Sequence, residues 1–200
     1  MEKGTEGVSG RALTPGLYRI LPPSPFPQGG ITLKIAVISD SHDHLIPLRA
    51  AIERAKAAGA EALIHCGDLI APFVLAELRK FEGPVHVVFG NNDGEVHLLT
   101  RLAAHTNVEV HGAIAELELG GRKLLATHQQ RIAEAFAATG RYDAVFYGHV
   151  HQAGEARVGD TLLLGAGEIM GFKEPPSFAI YDTETNAAER VSLADAWPGY

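Results

Sequence analysis

Five stretches of this chain end an apolar run in oxygen or imidazole side chains, the donor types that divalent cations take. They are Asp40-Ser41-His42, Gly67-Asp68, Gly90-Asn91-Asn92-Asp93, Thr127-His128 and Gly148-His149-Val150-His151. Residues two apart on an extended chain point to the same side, which pairs Asp40 with His42 and His149 with His151. Any one stretch alone reads as an ordinary turn, Gly-Asp and Gly-Asn-Asn above all. Five strand ends that each offer a donor fit convergence better than coincidence. Asp40, His42, Asp68, Asn91, His128, His149 and His151 are too many for one tetrahedral ion and suit two ions sharing a carboxylate. Mixed nitrogen and oxygen donors without thiolate favour Mn2+, Fe, Ni2+, Co2+ or Zn2+ over Mg2+ and Ca2+, which prefer oxygen alone. Two such ions, about 3.5–4 Å apart, lower the pKa of a water held between them.

Strands and crossovers must bring these ends together. Ile35 to Ile38 is a continuous apolar, β-branched run, the pattern of a strand buried on both faces. Pro47 then fits a first helical turn, and Leu48, Ala51, Ile52 and Ala55 form an apolar stripe ending at Gly59. Ala62–Cys66 and Val85–Phe89 read as further buried strands, with helices over about 72–80 and 95–104. This βαβαβα order predicts a parallel sheet with right-handed crossovers. The second half differs. Ile114 to Leu119 alternates, Gly120-Gly121 makes a hairpin turn, and Lys123 to Thr127 returns to His128. A helix over roughly 132–138 precedes a buried strand at Ala144–Tyr147, and short strands follow at 155–158, 161–164, 178–181 and 190–193. The expectation is α/β: two packed, mostly mixed β-sheets with helices outside.

Residues 1–30 are dense in Gly and Pro, and Pro22 to Gly30 can continue neither a helix nor a central strand. They read as an N-terminal extension, with Leu17 to Ile20 docking on a domain of residues 31–200. The chain has 200 residues, 46% hydrophobic and 20% charged, enough for a sizeable core. A net charge of −7 argues against holding long nucleic acid on a basic surface. It does not oppose a phosphate substrate, because bound cations dominate the local field. The single cysteine, Cys66, excludes an intrachain disulfide and a cysteine-built zinc site, and reads as an inert core thiol. Neither a spanning run nor a secretory signal is visible, which makes cytoplasm the expected compartment and a membrane partner unexpected.

The ordered set Asp40-x-His42, Gly67-Asp68, Gly90-Asn91-Asn92-Asp93, His128 and Gly148-His149-x-His151 resembles the signature of the calcineurin-like metallophosphoesterase superfamily. It is most similar to the small bacterial and archaeal phosphodiesterase branch, through Ser39-Asp40-Ser41-His42-Asp43 and Ile64-His65-Cys66-Gly67-Asp68. The resemblance covers roughly residues 33–193 and implies a four-layer α/β/β/α sandwich. It also implies that Asp40, His42 and His151 bind one divalent ion, that Asn91, His128 and His149 bind the other, and that Asp68 bridges them. The implied activity is metal-dependent hydrolysis of a small phosphodiester by a hydroxide held between two ions, with manganese the expected metal. Self-association into a homo-oligomer is implied as well.

Two departures bear on the chemistry. Asn92 stands where many members carry a histidine that contacts phosphate and protonates the leaving group; asparagine donates a hydrogen bond but supplies no acid near neutral pH. Some members of the small branch share this loss. Gln129-Gln130 follows His128 where the family has Gly-His. Asn92 is therefore expected to orient a phosphate oxygen, and His44, close in sequence to Asp40, to face the substrate. The same fold resembles that of the retromer scaffolding subunit, so a non-catalytic scaffold is the rival reading. Retention of all seven ligand types opposes it. His65, His86, His97, His105 and His111 lack ligand spacing and read as structural or surface residues. Gly165-Ala166-Gly167 lacks the third glycine of a dinucleotide loop, and there is no phosphate-binding P-loop and no nucleophile elbow.

Overall fold

The computed structural model describes residues 32–197. In its first half, strands β1 (Lys34–Ile38), β2 (Ala62–His65), β3 (Val85–Val87) and β4 (Val108–Val110) alternate with helices α1 (Leu45–Ala57), α2 (Val74–Leu78) and α3 (Val96–Ala103). The second half contains β5 (Ile114–Leu119), β6 (Arg122–Thr127), α4 (Gln130–Ala137) and β7 (Ala144–Tyr147). It closes with β8 (Ala153–Val158), β9 (Thr161–Ala166), β10 (Ser177–Asp182) and β11 (Ala187–Ser192).

The strands form two mixed sheets. One runs β11-β10-β1-β2-β3-β4 and the other β5-β6-β7-β9-β8. Strands β1 to β4 are parallel, as are β6, β7 and β9; β5, β8 and β10 pair antiparallel to these sets, and β11 pairs antiparallel to β10. Three apolar layers separate these elements. Ala36 and Ile38 of β1 face α1–α3 with Leu48, Ile52, Leu75 and Leu99. Ile35 and Val37 face the second sheet with Ala126, Phe146 and Leu164. Leu125, Val145 and Leu163 look the other way, onto Ala133 and Ala137 of α4. The continuous apolar runs thus have a simple cause: both faces of β1, β2 and β7 are covered, so alternation disappears. The architecture is the four-layer sandwich expected.

Some boundaries differ from the sequence reading. The α2 helix is five residues long, because the chain through 70–73 is spent on a turn around the site. β3 ends at Val87, although Val88 still donates to the His65 carbonyl. The edge strand β4 carries only two apolar residues and gives too short a pattern to read. The extension of residues 1–30 and the docking of Leu17 to Ile20 lie outside the described residues.

Candidate metal centre

The parallel strands all point their C-terminal ends to one side, and the five donor stretches leave from those ends: β1, β2, β3, β6 and β7. This is where open α/β sheets bind ligands. Backbone bonds tie the loops together. Asp40 N–H donates to the Gly67 carbonyl at 3.0 Å and His42 N–H to that of Asp68 at 3.1 Å. Across the sheets, His149 N–H donates to Asp40 Oδ2 at 3.0 Å. The approach is close enough to exclude side chains. A Cβ at Gly148 would collide with Ser39 Oγ and lie 2.6 Å from Asp40 Oδ2. A Cβ at Gly90 would overlap the Asp68 carboxylate, so both glycines serve contact with the ligand side chains themselves.

Asp40, His42, Asp68 and His151 bring one donor atom each within 4.8 Å of one another. His42 Nε2 lies 3.8 Å from Asp40 Oδ1 and 3.3 Å from Asp68 Oδ2, and His151 Nε2 lies 3.4 Å from Asp40 Oδ1. Asp40 Oδ1 and His42 Nε2 are buried and lack a hydrogen-bond partner. On the other side of Asp68, His128 Nε2 stands 3.4 Å from Asp68 Oδ2, 3.0 Å from Asn91 Oδ1 and 3.2 Å from His149 Nδ1. The structure therefore gathers all seven expected ligand residues around Asp68, in two groups.

Tautomers give these distances meaning. His128 Nδ1 is 2.8 Å from the Cys66 carbonyl, which can only accept, so in the neutral ring Nδ1 carries the hydrogen and Nε2 a lone pair. His151 Nδ1 likewise donates to Glu168 Oε2 at 2.8 Å. With the rings deprotonated, as a bound ion requires, lone pairs of imidazole, carboxylate and amide oxygen face one another, whereas in the metal-free fold the charge of Asp40 and Asp68 favours a proton on His42. Edges of 3.0–3.8 Å overlap the spacing of roughly 2.8–3.4 Å that bonds of about 2.0–2.1 Å give in octahedral and tetrahedral shells, the longest standing a few tenths of an ångström outside it. The residues present fit a pair of divalent ions.

The electrostatics agree. Burial opposes charge on His42, yet Asp40 and Asp68 outweigh it and raise the imidazole to about 9. Burial likewise opposes ionisation of Asp68, but His128, His42 and two bonds from Asn92 hold its carboxyl well below the usual range. Asn92 spends its amide here: Nδ2 donates to Asp68 Oδ2 at 2.7 Å and its backbone N–H to Oδ1 at 2.9 Å. The ring of His44 lies 5.2 Å from that of Trp197. His65 is fully buried and is pushed down to about 4 by that burial. It accepts from Gly67 N–H at 3.2 Å and meets Ser41 Oγ at 3.0 Å, a structural role. Burial raises the Cys66 thiol, which keeps it inert.

Two residues escaped the sequence reading. Asp93 accepts four backbone N–H groups, from Asp68, Leu69, Ile70 and Gly90, and so fixes the loop that carries Asp68. It was visible in its motif, but an acidic residue after Asn-Asn reads as part of a turn. Glu168, almost fully buried, orients His151; it follows β9 at a glycine turn with no ligand pattern near it, so nothing in the sequence pointed to it.

Residues 33–186 match the family model of the calcineurin-like phosphoesterase superfamily domain. The chain belongs to that superfamily. A phosphodiesterase of Methanocaldococcus jannaschii is 34% identical over 165 residues, spanning 80% of this chain and 99% of that relative. A solved archaeal phosphodiesterase superposes with a TM-score of 0.73 at 32% identity, covering 80% of this chain and 99% of that one. An Escherichia coli phosphoesterase (TM-score 0.57, 20% identity, 80% and 100% coverage) shares the fold. So does vacuolar protein sorting 29 of Cryptosporidium parvum (TM-score 0.61, 16% identity, 80% and 96% coverage). Enzyme and sorting protein alike sit at identities where the fold alone is informative.

Proposed function

We propose that this protein is a metal-dependent phosphodiesterase that holds two divalent ions at Asp40, His42 and His151 and at Asn91, His128 and His149, bridged by Asp68. The observation that carries the proposal is the convergence of imidazole, carboxylate and amide donors on both sides of Asp68. The similarity to two archaeal phosphodiesterases supports the substrate class. When bound, two such ions supply Lewis acidity and an activated water. The chain's own residues supply position. Asp93 and Asn92 hold the bridging carboxylate, and Glu168 and the Cys66 carbonyl set the rings of His151 and His128. Asn92, exposed beside Asp68, offers an amide to a phosphate oxygen once substrate competes for it. With no imidazole acid at position 92, activated leaving groups are favoured, and poorer ones would need help from the metal or from His44. Mixed N/O donors make manganese the first metal to try.

The protein we infer is cytoplasmic and self-associating, with a small phosphoester as its partner and residues 1–30 appended to one domain of 31–200. No helix among the described residues is long and apolar enough to cross a membrane.

The test is a metal-by-substrate matrix on metal-stripped protein, with aryl mono- and diesters, cyclic nucleotides and pyrophosphate. Metal-dependent hydrolysis of activated diesters, faster than of monoesters and abolished under every metal in Asp68→Asn, is the expected result. Monoesters cleaved far faster than diesters would overturn the substrate class. Absence of metal-dependent hydrolysis on any ester, with the fold intact, would favour the scaffold.

A further inference from the structure

His86 and His111 read as structural residues because neither belongs to the five donor stretches. Their partner lies across the sheet. In the β3–β4 register His86 stands opposite Glu109, and His111 follows Glu109 by two, so all three side chains share one face. That face is the one turned toward the second sheet: His86 pairs with Ile64, which lies in the layer between the sheets, while its neighbours Val85 and Val87 face the helices.

The three donor atoms meet closely. His86 Nδ1 lies 3.0 Å from His111 Nε2 and 3.5 Å from Glu109 Oε2, and His111 Nε2 lies 3.8 Å from the same carboxylate oxygen. A tetrahedral ion with bonds of about 2.0–2.1 Å spaces its ligands roughly 3.3–3.4 Å apart, the middle of this range. Hydrogen bonding explains the cluster poorly. At most one ring hydrogen can sit between the two imidazoles, and the carboxylate beside them adds a third lone-pair donor that such a bond does not use. Glu109, with a side chain 56% exposed, leaves the cluster open to solvent on one side, so an ion can reach it and keep a water as fourth ligand.

We propose that His86, Glu109 and His111 form a further metal site for a borderline transition ion of the Zn2+ type, sharing no residue with the centre around Asp68. Two imidazoles and one carboxylate are a ligand set for Zn2+, Co2+ or Ni2+ rather than Mg2+ or Ca2+. The ion would pin the short edge strand β4 to β3, where the described register spans only three residue pairs.

The test uses the full chain, stripped of metal and titrated with Zn2+ alone, with sites located by anomalous scattering at the zinc edge. Wild type is expected to hold an ion between His86, Glu109 and His111 in addition to those at Asp68, and Asp68→Asn to retain it. His111→Gln should lose this ion alone, and Glu109→Gln, a change on an exposed side chain, should weaken it by about 10–100-fold. Both variants should keep wild-type diester hydrolysis. Wild-type protein without anomalous density at the cluster would overturn the proposal, as would a dissociation constant in the millimolar range or an ion that persists unweakened in both variants. Density at the cluster but none at Asp68 would instead overturn the dinuclear reading and leave this one standing.

Discussion

Replacing Asp93 with asparagine exchanges one oxygen for an amide nitrogen and is expected to dismantle the loop that carries Asp68. Oδ1 of Asp93 accepts from Leu69 N–H at 2.7 Å and Ile70 N–H at 2.8 Å; Oδ2 accepts from Asp68 N–H at 3.0 Å and Gly90 N–H at 2.7 Å. An asparagine amide has one accepting oxygen. Whichever way it turns, two of the four N–H groups meet a donor instead. Hydrogen bonds to a charged group contribute about 1.5–3 kcal/mol each, so losing two costs about 3–6 kcal/mol. That is a large part of the 5–15 kcal/mol by which a domain is typically stable. The loop also carries backbone strain for these bonds to hold, since Asp68 and Ile70 sit at φ 60° and 81°, where a β-branched residue such as Ile70 is strained. Urea unfolding of metal-stripped protein should show a lower midpoint at unchanged slope, and the affinity for the activating metal should fall with it. Asp43→Asn is the control, because Asp43 accepts a single backbone N–H, from Ala71, and about 1 kcal/mol is expected there. An Asp93→Asn variant that loses less than about 1 kcal/mol and keeps its metal affinity would refute the claim that the carboxylate fixes the loop.

Three other outcomes follow from the same geometry. Glu168→Gln removes charge behind His151 and from the acceptor of Lys173 and Glu174 N–H, so the apparent affinity for activating metal should fall by about 10–100-fold; equal affinities would show that Glu168 does not orient the ring. His42 is raised to about 9 in the metal-free fold, burial being outweighed by Asp40 and Asp68, so at pH 7 it holds a proton that the ion must displace. Calorimetric titration in buffers of different ionisation enthalpy should therefore report proton release, and the metal-free fold should lose stability as pH rises from the unfolded value near 6.5 through about 9, the direction required of a raised pKa. No proton release at pH 7 would contradict this. Gly148→Ala places a methyl against Ser39 Oγ and Asp40 and should cost more than about 2 kcal/mol and most of the activity, whereas Gly94→Ala, with open space around it, should stay within about 0.5 kcal/mol in thermal unfolding.

The layers of this fold were legible because burial on both faces leaves an uninterrupted apolar run, as at Ile35–Ile38 and Ala144–Tyr147. The ligand set was legible for a related reason. Each donor follows its strand directly, so a linear reading meets strand and ligand together, and five repetitions reveal the shared edge. What stayed hidden acts across the chain rather than along it. Glu168 reaches His151 from beyond β9, and Glu109 meets His86 only through the β3–β4 register. Asn92, expected to meet the substrate, also donates its amide to Asp68, a partner 24 residues away that no local pattern could assign.

The backbone explains why these residue types and no others carry the site. Asp40, His42, Asp68, His149 and His151, five of the seven expected ligands, sit at φ between 42° and 69°. Left-handed backbone costs an L residue roughly 1–2 kcal/mol, so the five together store about 5–10 kcal/mol, comparable to the net stability of a domain. The strain persists because the loops are held at both ends by buried strands and bonded to one another through Gly67, Asp68 and Asp40. Asp, Asn and His tolerate this conformation best among residues with side chains, and they are also the oxygen and imidazole donors that a borderline cation takes. A glycine would satisfy the backbone and forfeit the ligand, while a glutamate would carry a carboxylate but fit the turn less well. The two demands select the same side chains. The sharp turns after each strand are therefore what aims the donors inward, and a cation seated among them would bind a site whose geometry the sheets had already imposed.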